Sequence, residues 1–214
     1  MKAGFKAENN LKLSILLAGN FLVCLALIND LGSKIQWKDL SFDQFEQVVP
    51  VGLGVMLVAV LNALVSPRVK AMVVYLKLRH PLPGSDAFSQ LACKDDRVNL
   101  EILRKAFGEL PTAAAGANSL WYSIFRQYKD DPSVYSANKS FVLLRDCAVF
   151  SVAILLLSIL GLLFTSEHRG ALLWMVALGA IQFLLFRHAA ANEGRRLVVN
   201  VLAIASAEES IRHG

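Results

Sequence analysis

Charge is missing from the places where this chain is most apolar, and that absence decides much of what the protein can be. No Asp, Glu, Lys, Arg or His lies inside any of four apolar runs, Leu13 to Ile28, Val48 to Val65, Cys147 to Thr165 and Ala171 to Phe186. A proton- or cation-coupled transporter needs an ionisable group at membrane depth, so that class falls. Cysteine is scarce. Cys24, Cys93 and Cys147 form neither a paired extracellular framework nor a metal-binding spacing, so the thiols are expected reduced and no metal site is expected. The chain also lacks a phosphate loop, a dinucleotide fingerprint and the spacings His-Glu-x-x-His and Cys-x-x-Cys, and no cofactor is expected.

What is present is apolar length. Each run is near the roughly 17 to 25 residues that cross a bilayer core as helix. The composition, 55% hydrophobic and 18% charged, is too apolar for a soluble domain and too charged for a bundle with only short loops. The expected fold is therefore an all-α integral membrane protein with four transmembrane helices, at about 13–30, 48–65, 147–165 and 171–186. The first run is read as a span and not as a cleaved signal, because Asn29, Asp30 and Leu31 follow it where small residues would be needed.

The cations sort to one side. Lys2, Lys6 and Lys12 precede the first run, twelve Lys and Arg lie from Arg68 to Arg145, and Arg187, Arg195, Arg196 and Arg212 follow the last. Only Lys34, Lys38 and Arg169 occupy the two short loops between. Lys and Arg near span ends are retained in the cytoplasm, which places both termini and the long middle segment there. The formal net charge of +5 fits loops facing anionic headgroups, so direct nucleic-acid binding is not expected.

Four regions follow. Residues 1–66 are a transmembrane hairpin, 67–145 a cytoplasmic helical module, 146–187 a second hairpin and 188–214 a cytoplasmic helical tail. Pro67 can open a helix, because the first turn has no use for its missing N–H. Arg79-His80-Pro81-Leu82-Pro83-Gly84-Ser85 must break it. Beyond this elbow, Asp95 or Asp96 can cap a helix ending near Gly108 and Pro111. A second helix is predicted from about Ala115 to Tyr128, and a third starts at Asp131 with Pro132 in its first position and flows into the third span. A module of roughly 65 residues has a marginal core, so it is expected to lean on a neighbouring subunit or the membrane face. The tail carries Leu197, Val201 and Ile204 on one helical face and Val198, Leu202 and Ala205 on the next. That broad apolar face needs a partner, either the module or the same helix of another copy.

Polar residues within the runs are the candidates for an ion path or an inter-helix seam. Asn20, Asn62 and Gln182, with Ser151 and Ser158, are all uncharged, and hydrogen bonding between or within helices is the favoured reading. Gly52, Gly54, Gly161 and Gly179 are read as close helix contacts, and Asp146 as a helix-start carboxylate suited to the dipole. Trp121, Tyr122, Arg126, Arg195 and Arg196 are candidates for a partner or module surface, with the aromatic cluster alternatively a core or membrane seat. His80 and Cys93, near Asp86, Asp95 and Asp96 in sequence, are the residues from which catalysis would be built, but nothing in the spacing fixes them as a nucleophile and base, and no catalytic residue is expected.

Four spans, cytoplasmic termini and a helical insert beginning Arg79-His80-Pro81-Leu82-Pro83-Gly84 give a layout that resembles the small four-span membrane subunits of bacterial phage-defence systems, such as the Kiwa membrane subunit. The resemblance implies a homo-oligomeric membrane sensor or effector working with a cytosolic protein. The residues themselves point to a non-enzymatic oligomer in the lipid bilayer that engages a partner through its cytoplasmic helices. A pore that depolarises the membrane, lined by Asn20, Asn62 and Gln182, is the alternative, and a membrane-tethered enzyme using His80 or Cys93 is a third.

Overall fold

Local chemistry explains where the helices begin and end. In the computed structural model, which describes residues 3–28, 59–164 and 168–213, all regular structure among the described residues is helical. Helix α1 is Ala3–Ile28 and α2 is Pro67–Tyr75, opened by its proline. Three short turns, Pro83–Asp86, Ala87–Leu91 and Ala92–Lys94, precede α3 at Leu100–Phe107. Then come α4 at Ala114–Tyr128, α5 at Pro132–Phe164 and α6 at Arg169–His213. Residues 59–64 are also helical.

The cap of α3 is Asn99, not the expected Asp95 or Asp96. Its side-chain oxygen accepts from the backbone N–H groups of Glu101 at 3.0 Å and Ile102 at 3.2 Å. Asp95 is engaged elsewhere, with Arg97 Nε at 2.9 Å, and that hydrogen bond holds its carboxyl below the usual range. Gly108 ends the helix at φ 81°, a conformation that costs glycine little. At α5 the expected start holds. Asp131 Oδ1 accepts from the N–H of Ser133 at 2.8 Å and of Val134 at 3.3 Å, and from the Ser133 hydroxyl at 2.7 Å.

The chain divides into two compact units, Met1–Ser66 with Asp146–Phe186, and Pro67–Arg145 with Arg187–Gly214. The second unit has a continuous apolar core drawn from Phe88, Leu103, Ile124, Val134 and Phe141 together with Leu197, Val198, Val201 and Leu202 of α6. The chain's own tail thus completes the module's core, which is one of the two partners expected for the tail's apolar face. Fully burying a Val or Leu contributes roughly 1.5–3 kcal/mol, so four from the tail rival the whole net stability of a small domain. Gly194 does not interrupt α6. A side chain there would collide with the Tyr75 hydroxyl and approach Phe141 Cε2 to 3.0 Å, so glycine is what lets α2 and α5 pack against the tail.

The first unit is built the other way round. Small or polar residues, Ala148, Ser151, Ala171 and Gly179, face inward beside a few larger ones, Leu13, Phe150 and Met175. Large apolar side chains face outward: Leu163 is 72% exposed, Phe164 85% and Trp174 68%. Gly179 meets the Leu155 backbone, where a Cβ would stand 3.2 Å from the Leu155 Cα, and Gly161 meets Leu172. Two helices, α5 and α6, are long and apolar enough to cross a membrane. The expected span at 13–30 coincides with the second half of α1 as far as Ile28. The expected span at 48–65, with Gly52 and Gly54, lies outside the described residues except for its end at 59–65.

Two outcomes test this account of the second unit. A Cβ on Gly84 would sit 2.5 Å from Trp121 Cε3 and 2.9 Å from Asn118 Oδ1, so Gly84→Ala is expected to lower stability by about 1–3 kcal/mol, seen as a lower Tm. Asp131→Ala is expected to cost about 0.5–2 kcal/mol at neutral pH. Hydrogen bonding from Ser133, its hydroxyl first, holds the Asp131 carboxyl below its ordinary value. The stabilisation is therefore full above the unfolded pKa of roughly 3.9 and fades as pH falls through the lower native value. Melts of wild type and variant should converge in acid; a constant gap would exclude the carboxylate as its source.

Candidate functional site

The sequence offered two candidate sites, a polar seam among the apolar helices and a surface on the module, and the structure places them in different units. The three seam residues of the first unit fill three different roles. Asn20 turns its Nδ2 back to the Leu16 carbonyl at 2.9 Å, leaving its buried Oδ1 without a partner. It lines an apolar groove beside Cys24, Ser158 and Met175. Asn62 donates to Asp146 Oδ2 at 2.9 Å, joining segments 84 positions apart. Gln182, in α6, has a buried Oε1 with no hydrogen-bond partner. Ser151 and Ser158 bond to the carbonyls four residues earlier, Cys147 and Ile154, at 2.9 Å each.

Asp146 departs from its expected role. It is not at a helix start, because α5 already runs unbroken from Pro132, so the N-terminal dipole gives it nothing. It is buried within the helix and hydrogen-bonded to Asn62. The sequence showed a charge at the edge of an apolar run but not the continuity of the helix through it. Asn62→Leu removes a donor from this buried carboxylate and is expected to cost about 1–3 kcal/mol. Asn20→Leu removes only a bond to its own helix and should cost clearly less. Thermal unfolding of both variants in detergent decides, and equal losses would refute the distinction.

On the second unit, α4 separates the surface candidates by its period. Ala117, Trp121, Ile124 and Tyr128 recur at spacings of four, three and four and are buried. Trp121, expected as a surface candidate, is only 5% exposed; it stacks on Phe125 with centroids 5.5 Å apart, and its indole N–H has no partner. Tyr122, one position on, is 53% exposed, and Arg126 follows it on the outer face. Arg195 and Arg196 are also exposed; Arg195 donates to Asn192 and Arg196 pairs with Glu193 at 3.4 Å. Elsewhere in the unit, burial and the Glu208 carboxylate raise the Tyr128 pKa, and Arg212 pairs with Glu209 at 2.7 Å.

His80 and Cys93 are not brought together. His80 lines a cavity with Tyr75 and Arg187, while Cys93 faces a shallow surface with Asp95 and Asp96 and its thiol donates to the Phe88 carbonyl at 3.3 Å. Among the described residues, no group of three His, Cys, Asp or Glu is disposed to hold a metal ion. Sequence reasoning missed Tyr75, Gly194 and Arg187 as a cluster, because they come from two helices more than a hundred residues apart.

Among the described residues these features define an all-helical structure with two helices long and apolar enough to cross a membrane. No protein-family model matches the chain, and no curated protein and no solved structure matches it.

Proposed function

We propose that this is a non-enzymatic, multi-pass protein of the bacterial inner membrane that assembles as a homo-oligomer and serves as a sensor or scaffold for a cytosolic protein. The observation that carries the reading is the inverted first unit. Leu163, Phe164, Trp174 and Leu185 are turned outward, while Ala148, Ser151, Ala171 and Gly179 share the interior with only a few large side chains such as Leu13, Phe150 and Met175. Water would penalise that arrangement and lipid tails would not. The cation count supports four spans with cytoplasmic termini. The setting in anti-phage defence is supported by the likeness in layout around Arg79-His80-Pro81-Leu82-Pro83-Gly84.

Tyr122 and Arg126 on α4, and Arg196 on α6, are exposed on the second unit and are of the residue types favoured where one protein meets another. A pore is the second reading, favoured by the unpartnered buried oxygens of Asn20 and Gln182 in otherwise apolar surroundings. The mass of the protein purified in mild detergent, with whatever it carries from its native cell, separates the two. A closed oligomer bound to a cytosolic protein, released by Tyr122→Ala with Arg126→Ala while the oligomer persists, is the expected result. An oligomer without a partner that passes ions in liposomes, and stops doing so as Gln182→Leu, would replace it with the pore. A lone monomer would overturn both.

A further inference from the structure

The second unit encloses a cavity of about 170 Å³ whose wall brings together Tyr75, Lys77, His80, Asp86, Arg187 and Arg195. Lys77 and Asp86 neutralise one another at 2.5 Å. Among the described residues, neither Arg187 nor Arg195 is paired with a carboxylate. Two of the residues that line it carry a buried donor without an acceptor, the Tyr75 hydroxyl, which packs beside Gly194, and Arg187 Nε. Leaving a buried donor unmet is costly, and more so for a charged group. Burial holds the Tyr75 phenol protonated, with Arg195 partly opposing, so the hydroxyl remains a donor through the physiological range.

The backbone adds to this. Leu76 at φ 52° and His80 at φ 50° bracket the segment that forms one side of the cavity. Non-glycine residues in the left-handed region are strained, and such strain gathers where a ligand is held. The cavity has many times the room of one water.

We propose that this cavity binds a phosphate group, held by Arg187 and Arg195 with the Tyr75 hydroxyl as a third donor. Two guanidinium groups on one helix are suited to such an anion because each presents a planar fork of N–H donors. Arg187 follows directly on the apolar run ending at Phe186, and Arg195 lies eight residues further along α6, about 12 Å at helical rise. For a helix leaving the bilayer there, that interval crosses the headgroup layer and reaches water. The phosphate can therefore come from an anionic lipid headgroup or from a free phosphate compound. The proposal does not depend on subunit number, so its failure would leave the oligomer reading standing.

The test uses the full chain in a neutral detergent, with thermal unfolding followed against inorganic pyrophosphate, against phosphatidylglycerol and against sodium chloride of matched ionic strength. Saturable stabilisation by pyrophosphate or by phosphatidylglycerol, and not by chloride, is expected. Arg187→Gln or Arg195→Gln should weaken the apparent affinity about tenfold to a hundredfold, the loss of one charge-assisted contact. Should either variant fail to fold, Tyr75→Phe decides, since it keeps the ring and should weaken binding several-fold. Saturation with the lipid alone assigns the phosphate to a headgroup, and saturation with pyrophosphate alone to a soluble compound. Stabilisation by neither, or an affinity that these substitutions leave unchanged, overturns the proposal and leaves a water-filled cavity.

Discussion

Burial of one apolar stripe on α6 is the interaction on which the second unit depends. Val198, Val201 and Leu202 are fully buried and Leu197 nearly so, against Leu103 of α3, Ile124 of α4 and Val134 of α5. Without that stripe the inserted residues 67–145 would present the inner faces of several short helices to water. With it, a segment too small to hold a core gains one from the far end of the chain. Gly194 serves the same end, because the tail approaches Tyr75 and Phe141 more closely than any side chain would allow. The unit is therefore closed by contacts of long sequence separation, and it can form only once α6 has been made.

The first unit obeys a different rule. There the contacts that matter are close backbone approaches, Gly179 on Leu155 and Gly161 on Leu172, and the large side chains look outward. In water this would forfeit the hydrophobic term that holds the second unit together. In lipid, packing of small residues and satisfied polar groups become the main currency of association. The two units thus read as answers to two solvents, and the division between them falls inside α5 and α6, at Arg145 and Asp146 and at Phe186 and Arg187.

Much of the helical layout could be read from the residues. Pro67 and Asp131-Pro132 open helices, and Gly108 closes one, because each acts through its own backbone. The unbroken course of α6 past Gly194 followed from the absence of proline. Choices among neighbours were less legible. Asp95, Asp96 and Asn99 are all competent caps, and the decision for Asn99 lies in Asp95 being drawn to Arg97, a contact that spacing does not reveal. Trp121 and Tyr122 are adjacent aromatics, and which one is buried depends on the rotation of α4 over Gly84. Of the candidate sites, the exposed Tyr122 and Arg126 were recognisable, whereas the Tyr75, Arg187 and Arg195 cavity was not, since nothing in the local sequence joins α2 to α6.

The pattern of polar bonding in the first unit limits how its helices can rearrange. Asn20, Ser151 and Ser158 bond to carbonyls of their own helices, four residues back, so they impose little on neighbouring segments. Asn62 and Asp146 are different, because their bond spans two separate segments and one end is a buried carboxylate. Packing contacts between Leu, Ala and Gly can slide at small cost, each atom pair contributing only about 0.1–0.2 kcal/mol. Taking a donor from a charged acceptor costs more, because the penalty falls on that bond at once. Any movement that carries residues 59–64 past α5 must therefore keep this bond or exchange it for another donor. That makes the Asn62 and Asp146 pair a fixed point between residues 59–64 and α5, one that sliding of the apolar contacts does not relax.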